Sequence, residues 1–153
     1  MKHITLKLML LFSLLSWTLS AGAQDAQKFS KQFETLATAS MEEVVGTLKT
    51  KEDYVYDAVY HSKIFLDEFE TCIGIRGGIG FLFATYKAKA TSQDFDRILK
   101  QLKSLPYDFE IKNDNKLYEK EVLIKSKPNG QRIAEMTLDN FGSINIDFAS
   151  KMY

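Results

Sequence analysis

Between Gln24 and Lys49, Phe29, Phe33, Leu36, Ala37, Met41, Val44, Val45 and Leu48 recur at steps of three and four. That period sets them along one face of a helix. Ser40 to Glu43, "SMEE", has the spacing of a capping box: the serine oxygen takes a backbone amide and the glutamate reaches back. The pattern predicts a helical N-terminus that bends or breaks at Ser40, with Gly46 weakening its second half.

Residues 54–70, "YVYDAVYHSKIFLDEFE", satisfy two periods at once. Tyr54, Tyr56, Ala58 and Tyr60 alternate with Val55, Asp57, Val59 and His61, while Val55, Ala58, Val59, Ser62, Leu66 and Phe69 trace a helical stripe. The weight of β-branched and aromatic residues selects a strand.

The run "TCIGIRGGIGFLFATY", 71–86, is apolar apart from its glycines, a few hydroxyls and Arg76. It lacks the lysine and hydroxyl of a P-loop and the spacing of a dinucleotide fingerprint, and a strand-like stretch follows where a phosphate loop needs a helix. Gly77-Gly78 suits a two-residue hairpin turn with positive φ at both positions. The turn sets Arg76 opposite Ile79, Gly74 opposite Phe81, Ile73 opposite Leu82 and Cys72 opposite Phe83, with an aromatic ring over the bare backbone of Gly74. Ile73, Ile75, Leu82 and Ala84 then share one face and Cys72, Ile79, Phe81 and Phe83 the other, so the hairpin needs cover on both sides.

A helix is predicted over about 92–104: Thr91 or Ser92 caps it, Asp94 and Asp96 suit its positive end, and Phe95, Ile98, Leu99 and Leu102 form its stripe. Pro106 ends it. Beyond it the period is two. Tyr107, Phe109 and Ile111 alternate with Asp108, Glu110 and Lys112, and "NDNK" at 113–116 is turn chemistry. In "KSKPNGQR" a three-residue loop, 128–130 with Gly130 left-handed, pairs Val122 with Met136, Ile124 with Ala134 and Lys120 with Leu138. It sets Glu121, Lys125, Glu135 and Thr137 on the other face. Finally Ile144, Ile146 and Phe148 point inward and Asn145 and Asp147 outward. The expected fold is α+β: a helical N-terminus, an antiparallel meander of about six or seven strands, and one helix inserted between two strand groups and packing on one sheet face. No internal repeat stands out.

The first 23 residues change the picture of where the chain works. Lys2 and Lys7, an apolar stretch and Ala21-Gly22-Ala23 read as an export signal, leaving 24–153 as one domain with no membrane-spanning segment. The chain has 20 basic and 20 acidic side chains; the leader holds two of the lysines, which leaves 18 against 20. That balance argues against a nucleic-acid partner. One cysteine, Cys72, cannot close an internal disulfide, so stability rests on the core.

Candidate chemistry is sparse. After the leader only His61 and Cys72 represent their residue types. They make a nucleophile and base only if the fold joins them, with Asp57 or Glu70 as orienter. Asp57 and His61 with Asp67, Glu68 or Glu70 make a mixed cation site on the same condition. Neither has a supporting motif, so no catalytic residue, cofactor or metal is assigned. Arg76 beside its turn and the tyrosines Tyr54, Tyr56 and Tyr60 are the candidate partner contacts. The order of helix, meander and further helix resembles exported bacterial proteins built on the fold of the β-lactamase inhibitor proteins and of outer-membrane assembly lipoproteins, a likeness of element order that fixes no function. The expectation is an exported, periplasmic or secreted, non-enzymatic binding module for an envelope or secreted protein. A pocket for a small apolar ligand between sheet and helices comes second, and an enzyme using His61 and Cys72 third.

Overall fold

A computed structural model of the chain describes residues 25–51, 53–112 and 115–152. The expected leader and the first half of the 113–116 turn lie outside these residues.

The N-terminal stripe folds as expected up to Val44. Helix α1 covers residues 25–38, the chain breaks at Ser40, and a single turn, α2, runs Met41–Val44. Glu43 accepts the backbone N–H of Ser40 at 2.7 Å, closing the capping box. The expected helix does not continue: Val45–Thr50 is strand β1. A Cβ at Gly46 would lie 2.6 Å from the carbonyl oxygen of His61, so glycine is what lets this strand approach its neighbour. The neighbour, β2, is only Ala58–Ser62. The predicted strand from 54 is corrected here, because the Asp53 carboxylate takes the backbone amides of Val55 (2.8 Å) and Tyr56 (3.1 Å) and curls that segment into an irregular connection.

The hairpin of β3 (Phe69–Arg76) and β4 (Ile79–Tyr86) has the predicted register at every pair, and Gly77 and Gly78 have φ of 57° and 77°. Helix α3 spans Ser92–Leu102, with Thr91 and Asp94 exchanging cap hydrogen bonds. Four strands follow: β5 (Tyr107–Lys112), β6 (Tyr118–Ser126), β7 (Arg132–Asp139) and β8 (Ile144–Phe148). The β6–β7 pairing is the one that the three-residue loop requires, and Gly130 has φ of 65°. Lys151–Met152, β9, adds a short pairing to the start of β4.

The sheet is larger than the six or seven strands expected: among the described residues it has nine strands, in the order β1-β2-β3-β4-β8-β7-β6-β5, with β9 beside β4. Its layout is a repeat that the residues do not advertise. Each half is helix plus a four-stranded meander, and the last strands of the two halves, β4 and β8, pair antiparallel at the centre. The strand order is therefore the same read inward from either edge of the sheet.

Both long helices lie on one face. Phe29 packs on Phe69, Phe33 on Tyr107 and Phe148, and these merge with Phe95, Ile98 and Leu102 of α3 and the inward strand residues into one core. Fully burying one such phenylalanine stabilises the fold by about 1.5–3 kcal/mol. Two polar ties fasten the layers. Lys151 donates to the carbonyls of Leu36 (2.9 Å) and Ala39, which the end of α1 leaves unpaired, and burial pulls the pKa of that lysine down. Arg97 of α3 grips Glu68 through two hydrogen bonds, 2.9 and 2.7 Å, and Tyr86 donates to the same carboxylate at 3.0 Å. Glu68 holds φ of 68°, a conformation costly for a side chain of its size. No helix among the described residues is long and apolar enough to cross a membrane.

Candidate functional site

Since side chains alternate along a strand, the outward face of the sheet is read from the pairs. One row crosses seven strands: His61, Cys72, Phe83, Asp147, Glu135, Leu123 and Glu110. The next runs Glu70, Thr85, Asn145, Thr137, Glu121 and Lys112, with Thr85 donating to Asn145 at 3.0 Å. A third begins Val59, Gly74, Phe81. The helices lie against the opposite face, so these rows face solvent or whatever else covers them.

On the first half the chain supplies its own cover. The 53–57 segment folds back so that Tyr56 lies over Gly74, whose added Cβ would come within 2.4 Å of the ring. Tyr56 stacks on Phe83 at 5.8 Å and 11° and leans on Phe81 at 5.7 Å. The ring foreseen over Gly74 is therefore a tyrosine from a distant loop, although Phe81 sits opposite that glycine. Beside it a cleft of about 390 Å³ is walled by Tyr56, Phe81, Arg132, Asp147, Phe148 and Ser150.

At the outer edge of this half, His61 and Cys72 are direct cross-strand neighbours and Glu70 stands two residues before Cys72 on the same face. One donor atom from each lies within 4.8 Å of the other two. Lys49 of β1 donates to Glu70 at 2.7 Å and approaches the Cys72 sulfur at 3.8 Å. Burial pushes the Cys72 thiol up and the lysine charge opposes that, while Glu70 is held low chiefly by its bond to Lys49. The fold thus joins His61, Cys72 and Glu70. It leaves the other acids conceived for a cation site elsewhere: Asp57 accepts the Gly77 N–H (2.8 Å), Asp67 pairs with Lys28 (2.8 Å), and Glu68 holds Arg97.

The second half is open and acidic. Desolvation raises the pKa of Asp147, against Arg132, and of Glu135, which also lies beside Glu121 and Asp147. Arg132 pairs with Glu135 at 2.9 Å. Glu110, held by Lys112 and Lys125, is lowered to about 2.

Of the four residues proposed as partner contacts, Tyr56 alone belongs to the aromatic centre of this face. Tyr54 is fully exposed on the same connection, and Arg76 is exposed on the outward parity of β3 at the hairpin tip. Tyr60 pairs with the inward-facing Ile73 and lies on the helix side. Reasoning from sequence set Glu135 and Asp147 outward but missed that Arg132 meets them there, and it placed Lys49 on a helix instead of on β1. The meeting of Arg132, Glu135 and Asp147 depends on the β7–β8 register, set at the 140–143 turn, and on the β4–β8 register, which no tight turn sets. No known protein family, curated protein or solved structure matches the chain.

Proposed function

We propose that the protein is a non-enzymatic binding module, exported to the bacterial envelope or exterior, that takes a protein partner on the helix-free face of its sheet. The observation that carries this reading is Tyr56, half-buried on Phe81 and Phe83 with Arg132 and Asp147 at its rim. A rigid aromatic anchor beside an arginine is the composition of interface hot spots. The carboxylates of Asp147 and Glu135 share the charge of one guanidinium and Glu121 lies beside Glu135, so the complementary surface presents apolar groups flanked by basic ones. Desolvated carboxylates gain most from such a partner.

The small-ligand reading receives less support. The space between sheet and helices is filled by Phe33, Leu36, Phe69, Phe95 and Ile98, each at most 1% exposed. The larger concavity, about 910 Å³, lies between α1 and α3 beside Ser30, Arg97 and Gln101.

Native mass spectrometry of the protein, isolated gently from its own host, tests the proposal with variants Tyr56→Ala and Glu135→Lys alongside Lys100→Ala on the helix side. The expected result is one added mass of protein size in the native chain and in Lys100→Ala, reduced or lost in the other two. A partner retained equally by all four overturns the assignment of the face. An added mass of a few hundred daltons overturns the protein-partner reading in favour of a ligand.

A further inference from the structure

A thiol, an imidazole and a carboxylate converge at one point of the outer face, their donor atoms mutually within 4.8 Å. Thiolate, imidazole and carboxylate together form a donor set suited to borderline divalent cations, above all zinc. With metal–donor bonds of about 2.0–2.3 Å, tetrahedral donors stand about 3.3–3.8 Å apart, so closure asks for shifts of about an ångström, within the reach of side-chain rotation. Cys72 and Glu70 sit on β3, an interior strand of the sheet, and His61 is locked opposite Cys72 by the β2–β3 register. A site on paired strands is held more precisely than one on loops.

A second observation points to a cation. The spot already draws one: the Lys49 ammonium lies 2.7 Å from the Glu70 carboxylate and 3.8 Å from the Cys72 sulfur. Its side chain is 39% exposed, so it can swing into solvent when a stronger cation arrives. Gly46 brings β1, and Lys49 with it, over the His61 backbone.

We propose that His61, Cys72 and Glu70 bind a divalent cation of the zinc class through three protein donors, and that Lys49 is the counter-cation the metal displaces. Cys72 releases its thiol proton to water on binding and coordinates as thiolate, His61 coordinates through one neutral ring nitrogen, and Glu70 exchanges its ammonium partner for the metal. No electron transfer is involved. The fourth position is left to water or to a donor from a partner. The proposal does not depend on the partner-binding reading, since the isolated protein is sufficient for its test.

The experiment is titration of the purified, reduced protein with Co²⁺, followed by competition with Zn²⁺. The native protein is expected to bind one equivalent with a thiolate-to-cobalt charge-transfer absorption in the near ultraviolet. Cys72→Ser is expected to lose that absorption, and His61→Gln to keep it while weakening binding about tenfold or more. Lys49→Met is expected to tighten binding about threefold, the worth of a partly exposed ion pair. Circular dichroism verifies that each variant is folded, and His61→Gln and Lys49→Met decide the question if Cys72→Ser does not fold. Absence of the charge-transfer absorption in the native protein, or equal affinity of the native protein and His61→Gln, overturns the proposal.

Discussion

The two halves of the sheet have the same layout and opposite surfaces. In each, a helix precedes four antiparallel strands whose inward residues are mainly apolar. Outside, the first half lays Tyr56 of its 53–57 segment across β3 and β4 and carries aromatic rings, a thiol and an imidazole. The second half presents carboxylates, among them Glu110, Glu121, Glu135 and Asp147. The common part is what folding needs: one continuous inner core. The divergent part is unnecessary for that core, and function is best sought where equivalent positions have stopped agreeing.

The largest expected effect comes from breaking what the halves share. Phe33 is fully buried and its ring meets both Tyr107 and Phe148, so Phe33→Ala is expected to cost about 3–5 kcal/mol. Urea unfolding checks this, and a loss confined to one half would show that the halves are separate folding units.

Next is the feature that only the first half has. Gly74→Ala drives a methyl into the Tyr56 ring and is expected to cost about 1–3 kcal/mol and to release the 53–57 segment, read as faster amide exchange there. Tyr56→Ala in the same chain should remove most of the additional strain. Strict additivity of the two changes would contradict the contact.

A smaller effect lies at the joint between the halves. Arg97→Met removes the grip on Glu68 and is expected to cost about 0.5–1 kcal/mol at neutral pH, since the pair is partly exposed. Arg97 first, then Tyr86, depress the Glu68 pKa against desolvation. A carboxyl depressed in the folded state stabilises above its unfolded pKa and loses that contribution as pH falls through its folded one. The Arg97→Met deficit should therefore shrink on acidification below the ordinary glutamate range. A deficit constant with pH would show that the arginine acts through packing.

The smallest effect has the opposite sign. Desolvation raises the Asp147 pKa, so ionisation penalises the fold at neutral pH and the penalty vanishes as pH falls below the ordinary aspartate range. Asp147→Asn is expected to raise Tm by no more than a few degrees at pH 7, with the gain disappearing in acid. A lowered Tm at pH 7 would mean that the Arg132 attraction dominates.

What could be read from the sequence follows from where the deciding forces act. The turns at 77–78 and 128–130 were legible because glycine chemistry fixes register locally, and α3 because caps and period agree. Strand β1 was not: Val45 and Leu48 extend the helical stripe of Met41 and Val44, and the deciding contact, Gly46 against the His61 carbonyl, is tertiary. Tyr54 and Tyr56 alternate as in a strand, yet Asp53 folds the segment and Tyr56 seeks a ring pair on another strand. For the site, Glu70 and Cys72 share a face by simple parity. His61 joins them only through the β2–β3 register, which no tight turn sets, since 63–68 intervenes.

The most direct test of the central claim is photo-crosslinking in the intact host from single reactive residues placed at Leu123 on the outward face and at Lys100 on α3. A discrete protein adduct is expected from position 123 and none from position 100. Adducts from position 100 alone would move the binding surface to the helices and contradict it.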